Sequence, residues 1–301
     1  MKGRSAAGYA LVAGAFTIMG LIGTLVEWAT APESVLLVLR FVVAGSVLGL
    51  LFARRRPLAA ARDRTVWPRL LLMGVIDAAS LLLFFIAMRA TGVATGMVLQ
   101  FLAPVWVALL APRVLGARTD RIVYPALGLA LGGLAVILAP SFAGQAGGLP
   151  WWGVGAGLLA GLGYAAFQIA IKDLTTRVSS VGIVIAEAWI DAVLLLPLAL
   201  WQTAGAGYRL TTRDLVAGLI LGLVCTALAY TMWTEGVGRI RVQHSSILGY
   251  LEPVTAPVYA FLLVGQSVAV WTVAGGALIV AAGVMVLVWG EREDAVPEPP
   301  T

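Results

Sequence analysis

A glutamate stands near the middle of a long apolar run in the last third of the chain. The run 245–264 is long enough to cross a bilayer, and Glu252 is the acid within it. A charge at that depth costs about 2.5 to 3.5 kcal/mol, so Glu252 indicates a functional site. It would bind a cationic group of a substrate, or a proton exchanged for the substrate. The alternative is a carboxyl group that is held protonated, or is paired inside the bundle for stability.

Two prolines accompany this acid. Pro253 follows it directly, and Pro257 comes four residues later. Proline has no N–H group to donate to the carbonyl four residues earlier, so both prolines are predicted to break the helix. The carbonyl of Gly249 is one of those expected to be freed. Freed carbonyls are tolerated at membrane depth where the backbone lines a cavity.

The chain carries a neutral copy of this motif. The sequence Leu251-Glu252-Pro253-Val254 corresponds to Leu102-Ala103-Pro104-Val105, which lies 149 residues earlier. Pro104 is the predicted helix-breaking counterpart of Pro253. The strong polar group beside the copy is the amide of Gln100, which is either a substrate ligand or an ordinary hydrogen bond between helices.

Four further charged residues fall inside apolar runs. Arg40 and Asp77 lie in neighbouring runs, where a structural ion pair is the favoured interpretation. Glu187 and Asp191 are four residues apart, so they project from one helical face. Two ionised carboxylates this close in a low dielectric repel each other, and one of them is expected to hold a proton. This pair is a second candidate proton carrier, unless both acids stay solvated in a water-filled vestibule.

Aromatic side chains inside the runs complete the set of candidates. Trp106 and Trp189 lie away from the predicted membrane interfaces, so they either fill the bundle or face a cavity. The candidate substrate-binding or coupling residues are Glu252, Gln100, Trp106, Asp77, Arg40, Glu187, Asp191, Trp189, Tyr250 and Tyr164.

The chemistry of soluble enzymes has little support in this sequence. His244 is the sole histidine, and no GxxxxGK[ST] phosphate loop is present. The segment 155–160 matches a dinucleotide-binding fingerprint, but it lies inside an apolar run with no strand before it. The sequence therefore predicts no cofactor, no metal and no enzymatic activity; a membrane-embedded enzyme acting on lipids is a remote alternative.

The composition indicates a membrane protein built almost entirely of helices. The 301 residues are 60% hydrophobic and 12% charged, with a mean hydropathy of +0.96. A span needs about 20 apolar residues, so ten spans leave only short loops and no room for a soluble domain. The predicted spans are 6–28, 33–53, 67–88, 93–112, 122–139, 150–171, 180–201, 213–234, 242–264 and 268–289.

The basic residues predict the orientation of these spans. Of the 20 lysines and arginines, 16 fall at the two ends of the chain and in the loops after every second span. Short cytoplasmic loops carry such an excess, so both termini are predicted to be cytoplasmic and the membrane to be the inner, or plasma, membrane. The same rule explains the net charge of +5 better than nucleic-acid binding does.

The 149-residue shift divides the chain into two halves of five spans. The predicted halves are residues 1–140 and 150–290, joined by a linker at 141–149 and followed by a disordered cytoplasmic tail at 291–301. Because five is odd, the second half is expected to be inverted in the membrane. Inverted repeats are a transporter design, in which rocking of the two halves opens the site to each side in turn.

Four motifs resemble one transporter family. They are Pro32-Glu33-Ser34 through Leu39-Arg40-Phe41, Leu102-Ala103-Pro104-Val105, Thr226-Ala227-Leu228-Ala229-Tyr230 and Leu251-Glu252-Pro253-Val254. Together they are similar to the EamA-type branch of the drug/metabolite transporter superfamily, and to its threonine/homoserine and aromatic amino-acid exporters. The resemblance implies a central cavity lined by spans one to four and six to nine, with spans five and ten packed outside.

The residues and the resemblance together predict a secondary transporter that exports amino acids or similar small metabolites by alternating access. Proton antiport is a hypothesis that rests on Glu252 and on the pair Glu187 and Asp191. The alternatives are an exporter of drugs or lipophilic cations and a facilitator without ion coupling. The expected partners are the small substrate, membrane lipids and protons, with the protein a monomer or a weak dimer.

Overall fold

The computed structural model is helical throughout the part of the chain that it describes. It describes residues 2–59, 63–116, 119–142, 150–206, 208–265 and 269–290. Residues 143–149 of the predicted linker and the predicted tail, 291–301, lie outside the described residues.

Within the described ranges, ten helical segments are long and apolar enough to cross a membrane, which confirms the predicted number. Six spans are single helices: the second Glu33–Leu51, the third Trp67–Thr91, the fifth Val123–Phe142, the sixth Trp151–Leu174, the seventh Ser180–Ala206 and the tenth Val270–Trp289. A short 3₁₀ turn, Ala53–Arg55, follows the second span.

The other four spans are irregular. The first consists of Lys2–Met19 and Leu21–Trp28, the fourth of Val93–Gln100 and Ala103–Leu115, and the ninth of Val242–Leu248 and Leu251–Val264. The eighth runs through Thr212–Ile220, a π-helical segment Leu221–Leu228, and Ala229–Arg239. π-Helical segments often occur at functional sites, so the eighth span is of interest for the site described below.

The interruptions of the fourth and ninth spans lie at corresponding positions of the two halves. The turn at Phe101 is 149 residues before the turn at Tyr250, which is the shift found in the sequence. Each span also ends at a glycine in the left-handed region, Gly116 with φ +66° and Gly265 with φ +76°, again 149 residues apart. A side chain at either position would be strained, so these glycines end the two helices at matching places.

The prolines act only partly as the sequence predicts. Pro104 and Pro253 each lie in the first turn of the helix that follows an interruption, where a missing N–H group is tolerated. Pro257 does not break its helix and lies inside Leu251–Val264. The carbonyl of Gly249 is not free either, because the N–H of Glu252 donates to it at 3.1 Å.

The spans pack in a regular set of neighbours. The first packs against the eighth, the second against the seventh, the third against the sixth, and the fifth against the tenth. The largest apolar cluster among the described residues comes mainly from the first, third, sixth and eighth spans, through Phe16, Met73, Phe167 and Trp233 among others. The seventh span adds Ile183 and the ninth adds Leu248, so the main core lies between these six spans.

Gly153, Gly157 and Gly161 lie four residues apart on one face of the sixth span, and the third and fourth spans approach this face closely. A methyl group at Gly153 would come within 2.5 Å of Ala90 Cβ, and one at Gly161 within 2.6 Å of the Leu99 carbonyl oxygen. On the fifth span, Gly128 and Gly132 have the same four-residue spacing but make no such contact, because a methyl group at either position would meet no neighbour within 4 Å. Both face away from the helices around the fifth span.

Candidate functional site

Three carboxyl groups meet between the third and seventh spans. Asp77 comes from the third span, and Glu187 and Asp191 come from one face of the seventh. An oxygen of each lies within 4.8 Å of an oxygen of the others. All three residues are buried, and within the described part of the chain the oxygens of Glu187 and Asp191 have no hydrogen-bond donor. We refer to Asp77, Glu187 and Asp191 as the carboxyl cluster.

Carboxyl groups this close are not expected all to be ionised together. Repulsion between like charges and the loss of solvation both favour the neutral form, so the cluster favours at least one bound proton or another cation. The same oxygens could also ligate a hard metal ion, for which carboxylates are the usual ligands. The sequence predicts no metal. It does not predict the cluster either, because it favours Arg40 as the partner of Asp77.

Arg40 lies beside the carboxyl cluster but is not paired with it. The sequence favours an ion pair between Arg40 and Asp77, and this prediction is wrong: among the described residues no nitrogen of Arg40 lies within 4.0 Å of a carboxylate oxygen. The Asp77 carboxyl group lies instead against that of Asp191. Arg40 is directed toward the eighth span. The rotation of the helices about their axes decides whether Asp77 faces Arg40 or Asp191, and the sequence does not specify this rotation.

The eighth span holds the Arg40 guanidinium in place. Nε donates to Thr226 Oγ1 at 2.6 Å, and the charged group lies 5.1 Å from the centre of the Tyr230 ring, a cation–π contact. Thr226 lies in the π-helical segment and donates its own hydroxyl proton to the Leu221 carbonyl at 2.9 Å. Arg40 is only 5% exposed, and its Nη2 has no partner in the region described.

Glu252 lies at a second polar point, where the fourth and ninth spans are interrupted. It borders a small cavity that is also lined by Gln100, Gln168, Ser246 and Tyr164. The cavity volume is about 10 Å³, roughly the room for one water molecule. The cavity beside Glu252 is therefore too small to hold a substrate in this conformation.

Two of these lining residues were missed from the sequence. Gln168 and Ser246 are buried, and Gln168 Oε1 and Ser246 Oγ have no hydrogen-bond partner in the part of the chain described. Gln100 Oε1 is in the same situation. The available signal was an isolated amide, Gln168, in an otherwise apolar span, four residues after the candidate Tyr164.

Tyr164 links the two polar points. It lines the small cavity beside Glu252, and it lies within electrostatic range of Glu252, Asp77 and Glu187. Arg40 is likewise within electrostatic range of Glu252. The structure thus brings six of the ten candidates into one region: Arg40, Asp77, Tyr164, Glu187, Asp191 and Glu252. Gln100 borders the same region from the fourth span.

The three remaining candidates have other surroundings. Tyr250 is buried and donates its hydroxyl proton to the Phe101 carbonyl at 2.6 Å, so it ties the two interruptions together. Trp106 packs in an apolar cluster with Ala165 and others. Trp189 is 42% exposed on the outer face of the seventh span, so the structure does not bring it to the site.

A further buried polar cluster lies toward the end of the bundle where the first span begins. Tyr9 Oη is 2.5 Å from Nδ1 of His244, whose Nε2 is 3.6 Å from Asp120 Oδ2. Tyr9 also donates toward the Val286 carbonyl at 3.3 Å. Tyr9 and Asp120 belong to the first half of the chain, and His244 and Val286 to the second. We refer to Tyr9, Asp120 and His244 as the His244 cluster.

A second connection between the halves lies at the opposite end of the bundle. Asp214, at the start of the eighth span, accepts hydrogen bonds from the backbone N–H groups of Thr30 at 2.8 Å and Ala31 at 2.9 Å. Thr211 N–H donates to the same carboxylate at 2.7 Å, and the Tyr208 hydroxyl also donates to it. Asp214 thereby joins the end of the first span to the second half of the chain.

Comparison with known proteins identifies named transporters as relatives. The uncharacterized transporter YwfM of Bacillus subtilis (strain 168) is 29% identical over 88% of each chain. A probable terminal-alkyne amino-acid exporter of Streptantibioticus cattleyicolor is 28% identical over 67% of each chain. The pseudopaline exporter CntI of Pseudomonas aeruginosa is 26% identical over 84% of this chain and 86% of its own.

The fold and the family agree with these relatives. A protein of known crystal structure superposes with a TM-score of 0.80 at 18% identity, covering 96% of this chain and 100% of the other. The family model described as the EamA-like transporter family matches residues 6–139 and again residues 151–289. The resemblance read from the motifs is confirmed, and so is the prediction of a membrane transporter rather than an enzyme. The chain belongs to the EamA-like transporter family.

Proposed function

We propose that this transporter exports amino acids or similar small metabolites across the inner membrane in exchange for protons. The carboxyl cluster carries the proposal. The cluster places three buried acids together, and the four oxygens of Glu187 and Asp191 have no hydrogen-bond donor among the described residues. Such an arrangement lowers the stability of the fold. Buried acids of this kind persist inside membranes where they bind protons, ions or substrates. Arg40 lies within electrostatic range of Glu187 in the cluster and of Glu252 beside it.

The proton and a cationic substrate group would compete for the same acids. When the carboxyl cluster holds protons, an incoming ammonium group meets neutral carboxyls and binds weakly. When the protons leave, the ionised carboxylates attract the ammonium group. A site that is loaded either with protons or with substrate exchanges one for the other, which is the requirement for antiport.

The arrangement of the spans supports alternating access by two inverted halves. A two-fold axis in the membrane plane would exchange each span with the one five places later. It would convert the contact of spans one and eight into that of spans six and three, and would leave the pairs two with seven and five with ten unchanged; all of these contacts are present. The matching interruptions and terminal glycines of spans four and nine favour the same symmetry.

Contacts between the halves at both ends of the bundle fit this mechanism. The His244 cluster joins the halves at one end, and the Asp214 contacts join them at the other. Opening toward either side requires the contacts at that side to separate. Both sets of contacts are formed, and the cavity beside Glu252 has a volume of only about 10 Å³. This conformation therefore corresponds to an intermediate in which neither side is open to substrate.

The substrate class is supported by the relatives. One is named as an exporter of terminal-alkyne amino acids and another as an exporter of pseudopaline. An amino group on the substrate would suit the carboxyl cluster. The distribution of basic residues supports the inner membrane with both termini in the cytoplasm.

The test is transport by purified protein in proteoliposomes with an imposed pH gradient. We expect the gradient to drive uptake of radiolabelled amino acids against their concentration. Asp191→Asn or Glu252→Gln should reduce this driven uptake at least about tenfold, which corresponds to about 1.4 kcal/mol and lies within the range for loss of a buried polar partner. The matched controls are Asp173→Asn and Glu33→Gln, whose acids are partly exposed, and they should retain it.

Each alternative predicts a different outcome. A facilitator would carry substrate down its gradient and ignore the pH difference. A drug exporter would be inhibited by lipophilic cations and indifferent to amino acids. Unchanged proton-driven uptake in both Asp191→Asn and Glu252→Gln would show that neither acid carries the coupled proton.

A further inference from the structure

Opposite charges face each other across the site without neutralising each other. Arg40 lies within electrostatic range of Asp77, Glu187 and Asp191, yet none of their oxygens is within 4.0 Å of its nitrogens. A buried charge is stabilised mainly by a hydrogen-bonded partner of opposite sign, so this separation costs stability. A ligand that bears both charges would supply the missing partner to each side.

The positive side is fitted for a carboxylate. Thr226 and Tyr230 occupy Nε and the face of the Arg40 guanidinium, which leaves Nη2 without a partner within the described residues. Guanidinium N–H groups are the preferred donors to carboxylates, and their planar geometry is fixed before binding. The contacts of Arg40 therefore orient it and leave one nitrogen free to donate.

The negative side is fitted for an ammonium group. An ammonium group has three N–H donors and no acceptor. The carboxyl cluster offers oxygens from three side chains, and the four oxygens of Glu187 and Asp191 have no donor among the residues described. The three donors of an ammonium group could thus each meet an oxygen from one of the three side chains.

We infer that the site recognises the free α-amino acid group itself, with the carboxylate on Nη2 of Arg40 and the ammonium on Asp77, Glu187 and Asp191. This inference rests on the proposed export of amino acids and narrows it to substrates that carry both charged ends. A simple amine would leave Arg40 unpartnered, and a lipophilic cation would face its positive charge. A dicarboxylate would face three acids.

The experiment compares matched ligands on the purified full-length protein, by thermal shift and by competition with a bound radiolabelled amino acid. The ligands are glycine, L-alanine, L-leucine, L-glutamine and L-phenylalanine, each with its amide, which lacks the carboxylate, and its N-acetyl form, which lacks the ammonium. We expect at least one free amino acid to bind saturably, and both of its blocked forms to bind at least about tenfold more weakly, because each leaves a buried charge unpaired.

Two substitutions assign the two ends. Arg40→Gln should bind the free amino acid and its amide equally, while still rejecting the N-acetyl form. Asp191→Asn should narrow the difference in affinity between the free amino acid and its N-acetyl form, while it still binds the amide weakly. Arg213→Gln, which removes a guanidinium that lies over Trp28 near the membrane surface, is the control and should change neither ratio. The ligand series on the unmodified protein needs no variant, so a poorly folded Arg40→Gln does not prevent the test.

Equal binding of a free amino acid and its amide would overturn the inference, and so would binding of none of the five free amino acids. If the protein transported an amine or an amide with protons and did not prefer the free amino acid, the proposed exporter would stand. Only the inferred recognition of both charged groups of the amino acid would be wrong. Absence of any proton-driven transport would instead count against the proposed function.

Discussion

Buried acids differ in what their removal does, and the differences follow from their surroundings. Glu252, the first candidate from the sequence, borders a cavity and is only partly buried. Asp191 is fully buried, close to two other acids and without a hydrogen-bond donor in the described part. Desolvation and repulsion both act against Asp191 in the folded protein. Asp191 is therefore expected to serve transport while lowering the stability of the fold.

Replacing Asp191 by asparagine should stabilise the fold while impairing transport. The amide keeps the shape, removes one of three close acids and adds an N–H₂ donor for the remaining carboxyls. We expect a gain of about 0.5 to 2 kcal/mol, the usual range when a strained functional group is removed. The midpoint of thermal unfolding in detergent measures it. Asp173→Asn should lower the midpoint slightly or leave it unchanged, since it removes a surface ion pair with Arg69.

A lower unfolding midpoint in Asp191→Asn would show that the acid stabilises the bundle. The carboxyl cluster would then be a structural hydrogen-bonded network that happens to be acidic. An unchanged midpoint combined with lost transport would mean that the cluster holds its proton without strain.

At the scale of elements, the interruptions of the fourth and ninth spans depend on one hydroxyl group. In the fourth span the N–H of Val105 donates to the Leu102 carbonyl at 2.9 Å, which is a 3₁₀-type bond. The Phe101 carbonyl receives the Tyr250 hydroxyl proton instead. The turn of the ninth span thus satisfies a backbone carbonyl in the turn of the fourth, which lies 149 residues earlier.

Tyr250→Phe should destabilise the protein by about 1 to 3 kcal/mol, because it leaves a carbonyl at membrane depth without its partner. The ring still fits, so the cost reports the hydrogen bond rather than packing. Thermal unfolding in detergent measures the effect, and Tyr124→Phe on an exposed side chain is the matched control. If both variants unfold at the parent temperature, another group satisfies the Phe101 carbonyl.

The sequence determines the length of the spans far better than their rotation. Predicted ends agree with the structure to within a few residues, because about 20 apolar residues are needed whatever the neighbours are. A helix that is apolar on all sides carries no stripe to show which face turns inward. The sequence could therefore not tell that Asp77 faces Asp191 rather than Arg40, or that Trp189 faces outward.

The small polar cavity was hidden for a related reason. Gln168 and Ser246 are single uncharged residues on different spans, and only the fold brings them to Glu252 and Gln100. The His244 cluster is similar: the sequence shows one histidine, and the structure adds Tyr9 from the far end of the chain. Residues that carry charge could be predicted, and the uncharged residues that complete their surroundings could not.

The His244 cluster and the Asp214 contacts lie at opposite ends of the bundle. We expect them to control access to the cavity beside Glu252 from opposite sides of the membrane. Asp120→Ala removes an acid from the His244 cluster, and Asp214→Ala removes the acceptor at the other end. A contact worth about 1 to 2 kcal/mol changes a two-state ratio by about 5- to 30-fold. Each substitution should therefore shift the protein toward the state that is open on its own side.

A cysteine in the cavity reports which side is open. Ser246→Cys, in a chain whose sole cysteine is removed by Cys225→Ala, places a thiol beside Glu252. Membrane-impermeant thiol reagents are then applied to inside-out and right-side-out vesicles. Asp120→Ala should speed labelling from the side predicted to be cytoplasmic, and Asp214→Ala from the opposite side, so each variant is the control for the other. If both speed labelling from the same side, the two halves do not rock about the site. The contacts at the ends would then hold the bundle together without controlling access.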